Sequence, residues 1–180
     1  SGEGFSLRDA SVNLDIGDLF GAPKPVGKVD VARLSAGGTD VTALAASFSQ
    51  ADTWTVVEGK AQAAGLPVSI NARVRQGDEG TELEAETART VWKGLAISLV
   101  EPARIVVRDG VAQIERLVLS PGGGKVSVTG TAGEALAVDL AISGLPLTSV
   151  NAIAPGAGLS GALSGTVKVR GTASAPVVDY

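Results

Sequence analysis

The residues best placed to do chemistry lie near the C-terminal end. Gly156-Ala157-Gly158-Leu159-Ser160-Gly161 has the G-x-G-x-x-G spacing, which cradles a pyrophosphate when it follows a strand and opens a helix. Here Pro155 precedes it, and Gly161 and Gly165 belong to a strand-like pattern, so it reads as a loop. Pro121-Gly122-Gly123-Gly124-Lys125 lacks the earlier glycine and the trailing hydroxyl residue of a phosphate loop and reads as a turn. Glu82, Glu84 and Glu86 could offer oxygen ligands to a hard cation such as calcium. On alternate positions they read instead as a solvated strand face that discourages edge-to-edge association. With no His and no Cys, the chain has no imidazole base, thiol nucleophile or thiolate metal site. No serine sits in a G-x-S-x-G elbow, and few aromatics are present to stack a sugar. The expectation is a protein with no catalytic residues, no metal and no cofactor.

Composition narrows the partners. Of 180 residues, 24 are Gly and 8 Pro, only 3% are aromatic, and 44% are hydrophobic. The net charge is −4, too low for disorder at this apolar content. The basic residues are scattered, and the two Trp and three Phe sit near no basic run, which argues against nucleic acid. No apolar run reaches the roughly 18 to 20 residues of a membrane helix. The chain opens with neither a signal peptide nor an initiating Met, so a secreted or envelope protein is expected here as an excised piece. Trp54 and Trp92 read as aromatics capping the end of a trough or core, ahead of a contact to a lipid headgroup.

The elements that must position these residues are strands. Apolar residues alternate with polar ones between Gly, Pro and Asp punctuation: Val12, Leu14 and Ile16; Val68, Ile70, Ala72 and Val74; Leu83, Ala85 and Thr87 opposite the three glutamates. The pattern continues through Asp109-Gly110 and Gly130 to Gly133, both read as turns, to Leu163, Val167 and Val169 opposite Lys168 and Arg170. Period two with such punctuation predicts an all-β protein of antiparallel strands. Two short helices are expected. Val41, Leu44, Ala45 and Phe48 at i, i+3, i+4 and i+7 suggest one over 40–49, and Pro146 starts another over Leu147 to Ile153.

Each strand has one apolar face to hide from water, at about 25 cal/mol per Å², and two short helices cannot cover it. A sandwich, a barrel and a curled trough remain. Sandwich cores lean on large aromatics. The inward residues here are aliphatic, which favours a long curled sheet with an apolar concave face, while a sandwich of small residues stays open. The residues expected to line that face are Leu83, Leu95, Ile97, Leu99, Ile105, Val107, Leu117, Leu119, Val126, Val128, Leu136, Val138, Leu140, Ile142, Leu163, Val167 and Val169.

From Trp92 onward a set of spacings becomes familiar. Trp92-Lys93-Gly94 precedes Leu95, Leu99 and Pro102; Leu117 and Leu119 lead to the Gly122-Gly123-Gly124 turn. Gly130, Gly133, Leu136 and Leu140 follow, then Gly144-Leu145-Pro146-Leu147 and Pro155. Leu159-Ser160-Gly161, Leu163-Ser164-Gly165, Gly171-Thr172 and Pro176 close the pattern. This half of the chain resembles the periplasmic β-repeat region of the TamB family, within the AsmA-like envelope proteins. The resemblance implies a curled "β-taco" sheet, with residues 1–180 a single segment of a longer, inner-membrane-anchored periplasmic protein. It implies phospholipid transport between inner and outer membranes and a link to outer-membrane protein assembly. The implied partners are phospholipid acyl chains, neighbouring segments of the same chain and a TamA-like outer-membrane barrel; the implied catalytic set is empty. The alternative is a structural module, a filled sandwich or spacer that docks other envelope proteins by its sheet edges.

Overall fold

The computed structural model describes residues 6–18, 23–36, 39–78, 80–149, 158–172 and 175–180. It is all-β. Thirteen strands follow one another along the chain: β1 (Ser6–Gly17), β2 (Lys24–Ala36), β3 (Thr39–Ala51), β4 (Trp54–Ala63), β5 (Leu66–Gly77), β6 (Gly80–Trp92), β7 (Leu95–Leu99), β8 (Ala103–Arg108), β9 (Val111–Pro121), β10 (Lys125–Ala132), β11 (Ala135–Pro146), β12 (Ala162–Thr172) and β13 (Ala175–Asp179). All belong to one antiparallel sheet in which consecutive strands pair, except β7 and β8. β7 and β8 share one rung: β7 pairs with one end of β6 and β9, β8 with the other. The break between them falls at Val100-Glu101-Pro102, where proline cannot donate to the ladder.

Turn chemistry explains the meander. Ala64-Gly65, Lys93-Gly94 and Asp109-Gly110 each hold both residues at positive φ, between 49° and 80°. That is the two-residue turn whose twist matches antiparallel strands. The sheet does not close, since β1 and β13 each have a partner on one side only. The substantial contacts between elements are all between paired strands, so among the described residues neither a second sheet nor a helix covers either face. The surface area is 11051 Å², against about 8,000 Å² for a compact monomer of this mass by the usual scaling.

Two sequence expectations are corrected. The helix over 40–49 is strand β3. Its pairing with β4 slips by one residue between Thr42 and Ala45, and Ala43 takes a φ of 50°. The three-residue step from Val41 to Leu44 is therefore a β-bulge, not a helical turn. A lone helix of ten residues is marginal in water, whereas β3 gains ladder hydrogen bonds from β2 and β4 on both sides. Of the second helix, one helical turn at 147–149 is present, and 150–153 lie outside the described residues. Gly130 belongs to β10, not to a turn; the chain reverses at Gly133-Glu134.

Gly130 sits at φ 120° where the β9–β10 register shifts, and a Cβ there would run into the Ala137 carbonyl oxygen. Gly165 has no positive φ and open space around it. Gly130→Ala should lower stability by about 1–3 kcal/mol, while Gly165→Ala should be neutral or slightly stabilising. Thermal or urea unfolding of the pair checks this. In solution scattering, an uncovered sheet should exceed the radius of gyration of about 16 Å expected for a compact 180-residue globule.

Candidate functional site

The register assigns every strand residue to one of two faces, because directly paired residues point the same way. One face is aliphatic. A single row across it runs Leu14, Gly27, Phe48, Val57, Ala72, Ala85, and after Ala103 continues Leu117, Val128, Leu140, Val167. A neighbouring row runs Leu99, Leu119, Val126, Ile142, Gly165. At about 4.8 Å per strand, twelve rungs extend such rows over roughly 50 Å along the sheet.

All seventeen residues expected on the apolar face lie on it. Leu95 is buried, Val107 and Leu163 are exposed, and the other fourteen are half-buried. At the middle this face closes over: Ala72, Ala85 and Ala103 are buried beneath Leu83, Leu99 and Leu117, and elsewhere on it Val31 and Leu95 are buried. Towards the ends it opens, with Val12 63% and Val178 50% exposed. No described side chain larger than alanine is fully enclosed. Val12, Leu14, Val29, Val31, Phe48, Val57, Val68, Ile70 and Val74 extend the same face across β1 to β5.

The opposite face is polar. Arg73 pairs with Glu84 at 2.5 Å and Arg75 with Glu82 at 2.9 Å, each across directly opposed positions of β5 and β6. Arg104 reaches both Glu82 at 3.4 Å and Glu115 at 3.3 Å. Trp54 lies under Arg75 and Arg73, whose guanidinium carbons are 4.4 and 4.6 Å from its ring centre. Trp54 thus stacks with the arginines of the polar face instead of capping the aliphatic one. Trp92 ends β6 and is half-exposed beside Lys93.

Glu82 and Glu84 are held by arginines, and no described group of three or more His, Cys, Asp or Glu side chains could hold a metal. Thr87 lies on the polar face, not with Leu83 and Ala85, because the β5–β6 register shifts between Asn71 and Ala72. At the glycine motif, Gly156 and Ala157 fall outside the described residues, and strand β12, not a helix, follows Gly161. That loop lacks the helix N-terminus a pyrophosphate needs. Gly122 and Gly123 form a turn with φ of 57° and 93°, closed by the Gly124 N–H donating to the Pro121 carbonyl at 3.1 Å.

Two hollows on the polar face run across the strands between rows of side chains, one of about 500 Å³ from β2 to β6 and one of about 630 Å³ from β3 to β7. Lys60, Ser69 and Arg89 line both. Alternation alone would set Arg89 among the aliphatic residues; the bulge after Ala85 turns it to the polar side. The readable signal was the change of apolar spacing from Ala85 to Ala88 to Thr90.

The hydrogen bond from Arg75 holds the Glu82 carboxyl below its ordinary value of 4.5, aided by the charges of Arg75 and Arg104 and opposed by desolvation. A folded-state value below the unfolded one gives stability that is complete above about pH 4.5 and is lost as pH falls through the lowered value. The melting temperature should therefore fall on acidification less steeply in Glu82→Gln than in the parent. Parallel slopes in melting curves below pH 4.5 would refute that role for Glu82. Comparison with protein families, with curated proteins and with solved structures finds no match to this chain.

Proposed function

We propose that this chain is a stretch of a hydrophobic surface along which phospholipid acyl chains pass between the inner and outer membranes, within a longer periplasmic protein anchored in the inner membrane. The observation that carries the reading is the aliphatic face itself, about a dozen rungs long and without a covering layer among the described residues. Each CH₂ that such a face takes from water gains about 0.8 kcal/mol. The gain needs no directional contact, so successive rows of Leu, Val and Ile offer acyl chains positions of similar energy. Movement between them then has no deep trap. The resemblance of residues 92–180 to the TamB family agrees with this reading and adds the link to outer-membrane protein assembly through a TamA-like barrel.

A second reading has its own observation. The outer edges of β1 and β13 are unpaired in the sheet, and open edges accept further strands. They suit the joining of neighbouring segments in a longer sheet, and equally a spacer that docks other envelope proteins without carrying lipid.

Ile97→Asp separates the two. In a sealed core an unpaired carboxylate costs several kcal/mol and unfolds the domain; on an open face it reaches water. The expected outcome is near-parental thermal unfolding of the variant, together with lipid photo-crosslinking from probes at positions 97 and 138 of the full-length protein. An unfolded Ile97→Asp and no crosslink from either position would leave the structural module.

A further inference from the structure

Among the described residues, the arginines of the polar face from β5 to β9 all have a partner with one exception. From β5 to β9, Arg73, Arg75, Arg104 and Arg116 are paired with glutamates, and Arg108 donates to the Asp78 carbonyl oxygen at 3.1 Å. That exception is Arg89 on β6, which has no ion pair among the described residues, and neither does Lys60 on β4. The two sit in one cross-strand row, Lys60 opposite Ser69 and Ser69 opposite Arg89, with Ser98 next on β7. Two strand spacings, about 10 Å, separate the backbones of Lys60 and Arg89, within the combined reach of their side chains over Ser69.

That row is one wall of the 630 Å³ hollow. The other wall is Gln62, Pro67, Val91 and Ala96, the next row of the same face. No acidic side chain lines this hollow; Asp30, in the same row beyond Ala45, and Glu58 line the smaller one with Lys28 and with Lys60 and Arg89 themselves, and neither forms an ion pair with Lys60 or Arg89. The hollow thus presents two cations without an ion pair and two hydroxyls along one side and mainly apolar groups along the other. Its volume falls within the range of about 300–1,000 Å³ usual for small-molecule sites.

We propose that this hollow binds a phosphate monoester bearing a single short apolar chain. The phosphate lies between Lys60 and Arg89 with Ser69 as a further donor, and the chain lies along Pro67, Val91 and Ala96. Guanidinium and ammonium groups give charge-assisted hydrogen bonds to phosphate oxygens, the guanidinium in bidentate geometry. The site is on the face opposite the aliphatic rows and stands or falls independently of the acyl-chain reading.

The test is calorimetric titration of the protein with monomeric hexyl phosphate and, separately, with inorganic phosphate. Hexyl phosphate should bind at least tenfold tighter than inorganic phosphate, and its affinity should fall as salt is raised. Arg89→Gln and Lys60→Gln should each weaken it tenfold or more. Both are surface substitutions, so their melting temperatures should stay near the parent's. Lys168→Gln, on the same polar face at β12 and outside the hollow, should bind as the parent does. Equal affinity for the two phosphates would remove the apolar wall from the site. Unchanged affinity in both cation variants, or no binding of hexyl phosphate at all, would overturn the proposal.

Discussion

Everything in this molecule depends on the hydrogen-bonded ladder between consecutive strands. A conventional domain stabilises its sheet by pressing a second layer onto it; here the described residues supply none. Stability must then come from the ladder and from same-face cross-strand pairs, each of which contributes about 0.2–1 kcal/mol. The aliphatic rows are long chains of such pairs. So are the ion pairs of the polar face, where Arg73 faces Glu84 and Arg75 faces Glu82. Among the described residues six apolar ones are buried, three of them alanines at the centre. Small side chains at that point let Leu83, Leu99 and Leu117 close over the sheet without a second layer.

The bulges are the second determinant. A sheet of twelve rungs with strict alternation would need perfect period two over the whole sequence. This chain instead resets its phase at defined places: between Thr42 and Ala45, between Asn71 and Ala72 opposite β6, and between Val128 and Gly130 opposite β9. Each reset returns apolar residues to one face after a local change of spacing. The step from Ile114 to Leu117 in β9 is one instance, and both residues lie on the aliphatic face. The reset in β6 keeps Arg89 off that face.

This accounts for what could and could not be read from the amino-acid order. The fold class and all seventeen aliphatic positions were legible, because period two survives wherever Gly and Pro mark the turns. The Asp109-Gly110 and Lys93-Gly94 reversals were legible for the same reason. Strand β3 was not. A bulge and a helical turn both produce a three-residue apolar step, and only the strands on either side decide between them. The polar hollows were equally hidden: Arg89 is twenty residues beyond Ser69, and it joins the row of Lys60 and Ser69 only once the bulge between β5 and β6 has set the register. Trp54 was misplaced because an aromatic at a strand start gives no sign of which face it takes.

The strictly sequential pairing of the strands also bears on how such a chain is made. Every rung's partner is its immediate predecessor, so no strand waits for a distant segment to arrive and no loop must be threaded. Contacts local in sequence are the ones that form fastest. A polypeptide emerging from its N-terminus can lay down β1 on β2, then β3, and continue rung by rung, with the newest edge serving as the template for the next strand. Growth of this kind has no intrinsic end point, and length becomes a quantity that can be changed by adding or removing hairpins without redesigning what is already built.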